Sequence, residues 1–262
     1  KKFTKKTMDQ ITLPDKISIK DLKDHKYQLV FEPFYPGYGV TIGNALRRVL
    51  LSSLPGAAVT SFKLEGAQHE FDSVDGVKED LVEIMLNLKQ LRLKSHSQEP
   101  IKLTIESKGE KTVTAADISK NSDVEIINTD LLIATMTEKT AKFNMELTVE
   151  QGRGYVTVEQ RPEKEKLEIG TVAIDASFSP VLNVGFDIEH VRVGEMTNYE
   201  KLTMEMLTDG SIDAQEAISQ AAFILEDHFA LLIGKEEKEE KKATKKKATK
   251  KEEKEEKEEE EK

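Results

Sequence analysis

The chain contains no cysteine. That removes disulfide scaffolds, thiol nucleophiles, iron–sulfur clusters and cysteine-bound zinc from consideration. No stretch approaches the ~20 apolar residues that a membrane-spanning helix needs. The first residues, Lys1-Lys2-Phe3-Thr4-Lys5-Lys6, are basic, but no apolar secretion-signal core follows them. Nor is there an excess of positive charge: the formal charge is −10. A bulk nucleic-acid binder needs Lys and Arg in excess over its docking surface, so the overall charge speaks against one. These absences point to a soluble intracellular protein.

The charge is unevenly distributed. The last 28 of the 262 residues, Lys235 to Lys262, contain only Lys, Glu, Ala and Thr, with 12 Lys and 12 Glu. The whole net charge therefore sits on the first 234 residues, which are enough for a sizeable core. The tail has no apolar residue larger than Ala and cannot bury a core of its own. It is expected to be a solvated, solubilising segment; its Lys block at 241–251 leaves nucleic-acid contact as the alternative.

Hydrophobic spacing divides the rest into short elements. Tyr27, Leu29 and Phe31 alternate within a strand at 26–31. A turn cluster of Pro33, Pro36, Gly37 and Gly39 follows. A helix is predicted over 41–54, with Thr41 as N-cap and Pro55-Gly56 as its stop. Strands are predicted at 59–64 and 101–105, and Val77, Leu81, Ile84, Met85 and Leu88 between them have helical spacing. Further strands are expected at 123–127, 131–135, 142–149, 155–158, 182–188 and 202–207, the last alternating Leu202, Met204 and Met206. A final helix is predicted over 214–233, with Asp213 and Glu216 in capping-box spacing and Gly234 as C-cap. Strands and helices do not alternate regularly, so the expected class is α+β rather than a doubly wound sheet.

Signals of catalysis are weak. Gly37-x-Gly39-x-x-x-Gly43 stands between a strand and a helix, but the spacing is one residue too long for a dinucleotide loop. A turn into a tightly packed helix is the better reading. Gly109-Glu110-Lys111-Thr112 lacks the adjacent Gly-Lys and the upstream Gly of a phosphate loop. His25, His69, His96, His190 and His228 are scattered and form no helical zinc pair. There is no G-x-S-x-G elbow. Asp72, Asp75, Glu79 and Asp80 lack the alternation of a metal loop and suit the first turn of a helix.

Two helices instead ask for partners. With Ile42 at 0° on the first, Leu46 and Val49 fall within about 40°, with Ala45 and Leu50 on the flanks: a core stripe. Arg47, Leu51 and Arg48 fall at about 140°, 180° and 240° on the far side. A leucine between two guanidinium groups is the composition of a protein interface, the alternative being one stray exposed leucine. On the last helix Ile218, Ala221, Ala222, Leu225, Phe229 and Leu232 form a stripe. Ala217, Ile224 and Leu231 widen it to roughly 180°, more than one core demands. Such a helix is either covered on two sides within one subunit or lies in a homodimer seam.

The run from Pro36 to Gly56, PGYGVTIGNALRRVLLSSLPG, closely resembles the signature of bacterial RNA polymerase alpha subunits. The resemblance continues through Gly76-Val77-Lys78-Glu79-Asp80, Ile84–Lys89, Val113–Ile118, Gly152-Arg153-Gly154-Tyr155-Val156, Ile174-Asp175-Ala176, Ser179-Pro180-Val181, Asp209–Asp213 and Glu216-Ala217-Ile218. These matches stand in order and cover about residues 26–233. The resemblance implies a dimerisation domain made from residues 1–55 and 180–234, an inserted strand-rich domain at 56–179, and then the charged tail at 235–262. It implies a homodimer without catalytic residues, cofactor or metal, which captures first the beta and then the beta prime subunit. Contact with omega and sigma is indirect, DNA is met only through the assembled enzyme, and no membrane is involved.

By that resemblance Arg48 and Leu51, with Arg47 beside them, face beta, while Glu83, Lys89 and Ile174 face beta prime. The dimer contacts fall on Tyr38, Ile42, Leu46, Val49, Leu225 and Phe229. Two departures are visible. Most family members continue into a compact module that reads promoter DNA and binds activators. Here the Lys/Glu tail stands in that place, so those activities are not expected. Gln151 stands where an arginine usually precedes Gly152-Arg153-Gly154, which weakens the contacts expected of that loop. Two readings compete with this one: an unrelated dimeric binding module, and an enzyme acting through Asp72, Asp75 and Glu79.

Overall fold

The computed structural model describes residues 11–161, 168 and 170–232. Along the chain these form β1 (Lys16–Asp21), β2 (Lys26–Phe34), α1 (Tyr38–Ser52), β3 (Pro55–Leu64), α2 (Leu81–Leu88), β4 (Leu93–Ser95), β5 (Ile101–Lys108) and β6 (Lys111–Thr114). Then come β7 (Val124–Ile126), β8 (Leu132–Met136), β9 (Lys142–Arg153), β10 (Tyr155–Val156), β11 (Thr171–Ala173), β12 (Ala176–Ser177), β13 (Val181–Val193), β14 (Met196–Thr208) and α3 (Ala214–Ala230). The class is α+β, as the sequence pattern predicts.

One antiparallel sheet has the strand order β1-β2-β14-β13, so its members come from both ends of the body. The two-residue period places Leu202, Met204 and Met206 on one face of β14, and all three are buried, as are Leu29 and Phe31 of β2. Helix α1 packs against β13 and β14.

A second antiparallel sheet runs β5-β9-β3-β4-β7, with β11 also paired to β3. Strand β9 alternates along its length and buries Phe143, Met145, Leu147 and Val149. With Phe62, Leu103, Ile105 and Ile133 they form one continuous core, closed by Leu81, Ile84 and Leu88 of α2. Each such side chain contributes ~1.5–3 kcal/mol of burial energy, which makes this core the main support of the strand-rich part.

Several element bounds shift from the sequence expectation. Helix α2 begins only at Leu81, because the Asp80 carboxylate accepts the Glu83 amide at 2.7 Å and so caps it there. Val77 lies before the helix and bridges to Met136. The strand expected at 155–158 is two residues long and passes into a 3-10 turn at Val158–Gln160. Strand β1 and the short β4, β6, β11 and β12 are not among the expected strands, although β1 alternates Ile17 and Ile19 with polar residues. Helix α3 does start at the expected place, where the Asp213 carboxylate accepts the Glu216 amide at 2.7 Å. It ends at Ala230, short of the predicted 233, and passes into a turn at Leu231 and Leu232. The Gly234 cap, the N-terminal lysines and the charged tail lie outside the described residues.

Candidate protein interfaces

The first candidate surface is helix α1, and its seating differs from the helical-wheel expectation. The helix starts at Tyr38, three residues before Thr41, and its N-cap position is Gly37 in the left-handed region at φ 86°. Thr41 lies within the helix and donates its hydroxyl back to the Gly37 carbonyl at 3.2 Å. The role expected of Thr41 is taken by Glu200 of β14. One of its carboxylate oxygens accepts the Gly37 amide at 2.8 Å and the other the Gly39 amide at 2.9 Å.

The face of α1 that meets its own sheet is Gly39, Gly43, Leu46 and Leu50. A Cβ on Gly43 would stand 3.0–3.1 Å from Phe186 and Leu202, so the helix approaches the sheet through its glycines. Hydropathy gives glycine little weight, so the wheel places Leu46 and Leu50 correctly towards the core but centres the stripe on Ile42 and Val49, which are only half-buried. Three consequences follow for the expected site. Leu46, expected in the dimer seam, is 6% exposed and belongs to the protomer core. Tyr38, Ile42 and Val49 form an open flank, with Tyr38 exposed and the other two half-buried. Arg47 and Arg48 are exposed and, among the described residues, make no ion pair, whereas Leu51 is half-buried rather than facing solvent.

A second surface lies on the strand-rich part, beside the C-terminal end of α2. Glu83 is exposed. The Lys89 ammonium donates to Asp175 at 3.1 Å, and the same carboxylate accepts the Val158 amide at 3.0 Å and the Tyr155 hydroxyl at 3.3 Å. Ile174, expected on this face, is 1% exposed: its side chain is in the core, its amide donates to Thr60 at 2.9 Å, and its carbonyl accepts from Arg161. The Val158 amide, and then Lys89, hold the Asp175 carboxyl below the usual carboxylate range. Its folded pKa is thus below the unfolded value near ~4, so the stabilisation is complete above that value and is lost as pH falls through the folded one. We expect Asp175→Asn to be less stable than the wild type at neutral pH by about 1 kcal/mol or less, and the two melting curves to converge in acid. A constant difference across pH would refute this.

The acidic stretch is occupied by the chain's own groups. Asp72 accepts the Gln68 and His69 amides at 2.6 and 3.1 Å, and these bonds lower its pKa. Glu79 accepts the Thr135 amide and hydroxyl at 2.6 and 2.8 Å, and Asp80 caps α2. Among the described residues no group of His, Asp and Glu is placed to hold a metal ion, and no helix is long and apolar enough to cross a membrane. Gln151 donates to the Ser95 carbonyl at 2.7 Å and so ties β9 to β4.

The third surface is α3. Its small residues Ala214, Ala217 and Ala221 are buried. From Ala222 onward Phe229 is 57% exposed, Leu232 is 81% exposed, Phe223 and Leu231 are exposed, and Leu225 is half-buried. Phe223 falls outside the predicted stripe, about 180° from Ala214 around the helix, and no periodic signal marks it.

Helices α1 and α3 thus present cationic and apolar side chains to solvent, while Asp72, Glu79 and Asp80 are held by the chain's own amide and hydroxyl groups. Such exposed surfaces suit contact with other proteins. Residues 61–179 match the RNA polymerase Rpb3/RpoA insert domain family. The chain is 50% identical over 223 residues to the DNA-directed RNA polymerase subunit alpha of Moorella thermoacetica, and likewise to that of Carboxydothermus hydrogenoformans. In both cases 85% of this chain and 71% of the relative are covered. It is 50% identical over 216 residues to the subunit of the same name from Symbiobacterium thermophilum, covering 82% of this chain and 68% of that one. The chain belongs to the family of DNA-directed RNA polymerase alpha subunits.

Proposed function

We propose that the chain is the assembly scaffold of a DNA-directed RNA polymerase: it forms a homodimer that captures the beta and then the beta prime subunit, and contributes no catalytic residue itself. The observation that carries this reading is the run of exposed large apolar residues at the end of α3 and just after it, Phe229, Leu231 and Leu232, which a solitary subunit leaves in water. Dimer contacts are assigned to Leu225 and Phe229 on α3 and to the open flank Tyr38, Ile42 and Val49 on α1. Arg47, Arg48 and Leu51 are assigned to beta. Glu83 and Lys89 are assigned to beta prime, with Ile174 holding the adjoining segment from beneath.

Residues 1–55 and 180–234 are proposed as the dimerisation domain. The sheet built from residues 16–34 and 181–208 supports that division, with 56–179 as the insert. Omega and sigma are met through the holoenzyme, and so is DNA. The protein then works in the cytosol and reaches the nucleoid through the polymerase. Co-expression with beta and beta prime, followed by size-exclusion chromatography with light scattering, tests the scheme. The expected species are a dimer of this chain, the dimer with beta, and the complex of all three. A monomer that retains neither large subunit would refute it.

A further inference from the structure

We propose that Glu200 is a positioning residue for the interaction helix. From a strand distant in sequence it fixes where α1 begins and how it is seated, and so sets the strength of the contacts made by the outer faces of α1. The inference rests on the dimer reading above. A helix begins with four backbone N–H groups that lack intrahelical partners, and a local Ser, Thr, Asp or Asn usually accepts from them. Here the N-cap is a glycine and the first turn carries no acid. Glu200 supplies the acceptor instead, with one oxygen on each of two amides 163 and 161 positions away. Its side chain places negative charge at the positive end of the helix.

The fit is close enough that the carboxylate would have to move if Gly39 carried a side chain. A Cβ on Gly39 would stand 2.8 Å from the Glu200 Oε2. Glu200 and Leu202 share a face of β14, and Leu202 meets Gly43 one turn further along α1. The ladder between β2 and β14 shifts register between these same two residues, as bulges do where a side chain must be aimed. The Gly37-x-Gly39-x-x-x-Gly43 motif is thus a socket for an internal carboxylate. Tyr38, Ile42, Arg48 and Val49 all lie on the helix that this socket places.

The test measures dimer dissociation by sedimentation, and amide exchange at Gly37 and Gly39, for the wild type, Glu200→Gln, Glu200→Ala, Gly39→Ala and the double variant Glu200→Gln/Gly39→Ala. Gln keeps one acceptor but turns an NH2 towards an N–H, so weakening should grow from wild type to Gln to Ala. Ala should cost about tenfold or more in dimer strength, as expected for buried donors left unsatisfied. Both amides should lose protection. The double variant should be no worse than the worse single one, because both substitutions break the same contact. Met206→Ala, a core deletion six positions along β14, serves as the stability control. It should lower the melting temperature while leaving dimer strength within about twofold of the wild type at temperatures below melting. A Gln variant equal to the wild type in dimer strength, unchanged protection at Gly37 and Gly39, additive singles, or equal weakening by Met206→Ala would each overturn the proposal. A wild-type chain that does not dimerise defeats the assembly reading instead.

Discussion

Phe229→Asp is expected to turn the proposed dimer into a monomer, or into an aggregate of exposed α3 surfaces, without unfolding the strand-rich part. The ring is more than half exposed in the single chain, so the substitution removes little from the protomer. In a two-fold seam the same residue enters twice, once from each copy. Losing one large apolar contact costs ~1.5–3 kcal/mol, and each copy would also have to bury an unpaired carboxylate, which costs more. The combined effect exceeds what most dimers of moderate affinity can absorb. Light scattering decides the matter, and a dimer of unchanged mass would remove Phe229 from the seam. The core around Phe62 and Phe143 belongs to the strand-rich sheet, so the thermal transition of that part should stay in place.

The second large effect concerns beta. Arg48→Ala should leave the melting temperature and the dimer unchanged, yet weaken capture of beta by ~2 kcal/mol or more, roughly 30-fold. An exposed guanidinium without an ion pair among the described residues gives the fold little, and surface substitutions of this kind usually stay within about 0.5 kcal/mol. Leu51→Ala should behave differently from the sequence expectation. The residue is half-buried, so truncation should cost about 1–2 kcal/mol of stability as well as binding. Immobilised beta, titrated with each variant alongside a thermal melt, separates the two. Normal capture by Arg48→Ala, or a large loss of its stability, would contradict the assignment.

What could be read from the sequence was what repeats locally. The alternation in β9 and in Leu202, Met204 and Met206 marks strands whose burial follows the same period, and the Asp213 cap and the Pro55-Gly56 stop are chemical signals a few residues wide. What could not be read depends on distant partners. The start of α1 is set by a carboxylate on β14, so the local candidate, Thr41, was the wrong one. The packing face of α1 is set in part by glycines that a hydrophobic wheel cannot weigh, which is why Leu51 moves from the expected far side to half-buried. Leu46 is buried as the wheel's core stripe predicts, against its seam role by resemblance. Strand β1 did carry a local signal, Ile17 and Ile19 alternating between Lys16 and Lys20, but it is a short edge strand whose Ile17 stays exposed. Ile174 lies in a short connection whose burial depends on Thr60 and Arg161, neither of which is near it in a periodic pattern. The family resemblance carried the functional reading where the residues alone left it open.

The carboxylate socket also orders events in time. During synthesis Glu200, which completes the N-terminal end of α1, is made 163 positions after Gly37. At about 5–20 residues per second that is a delay of roughly 10–30 s. The strand-rich sheet, whose strands all precede β13, can close in that interval. The sheet under α1 cannot, because β2 needs β14 beside it and long-range pairing of this kind is slow to form. Helix α1 is therefore among the last parts of a newborn chain to be seated, and any contact it makes, including those proposed for it, waits until nearly the whole body exists.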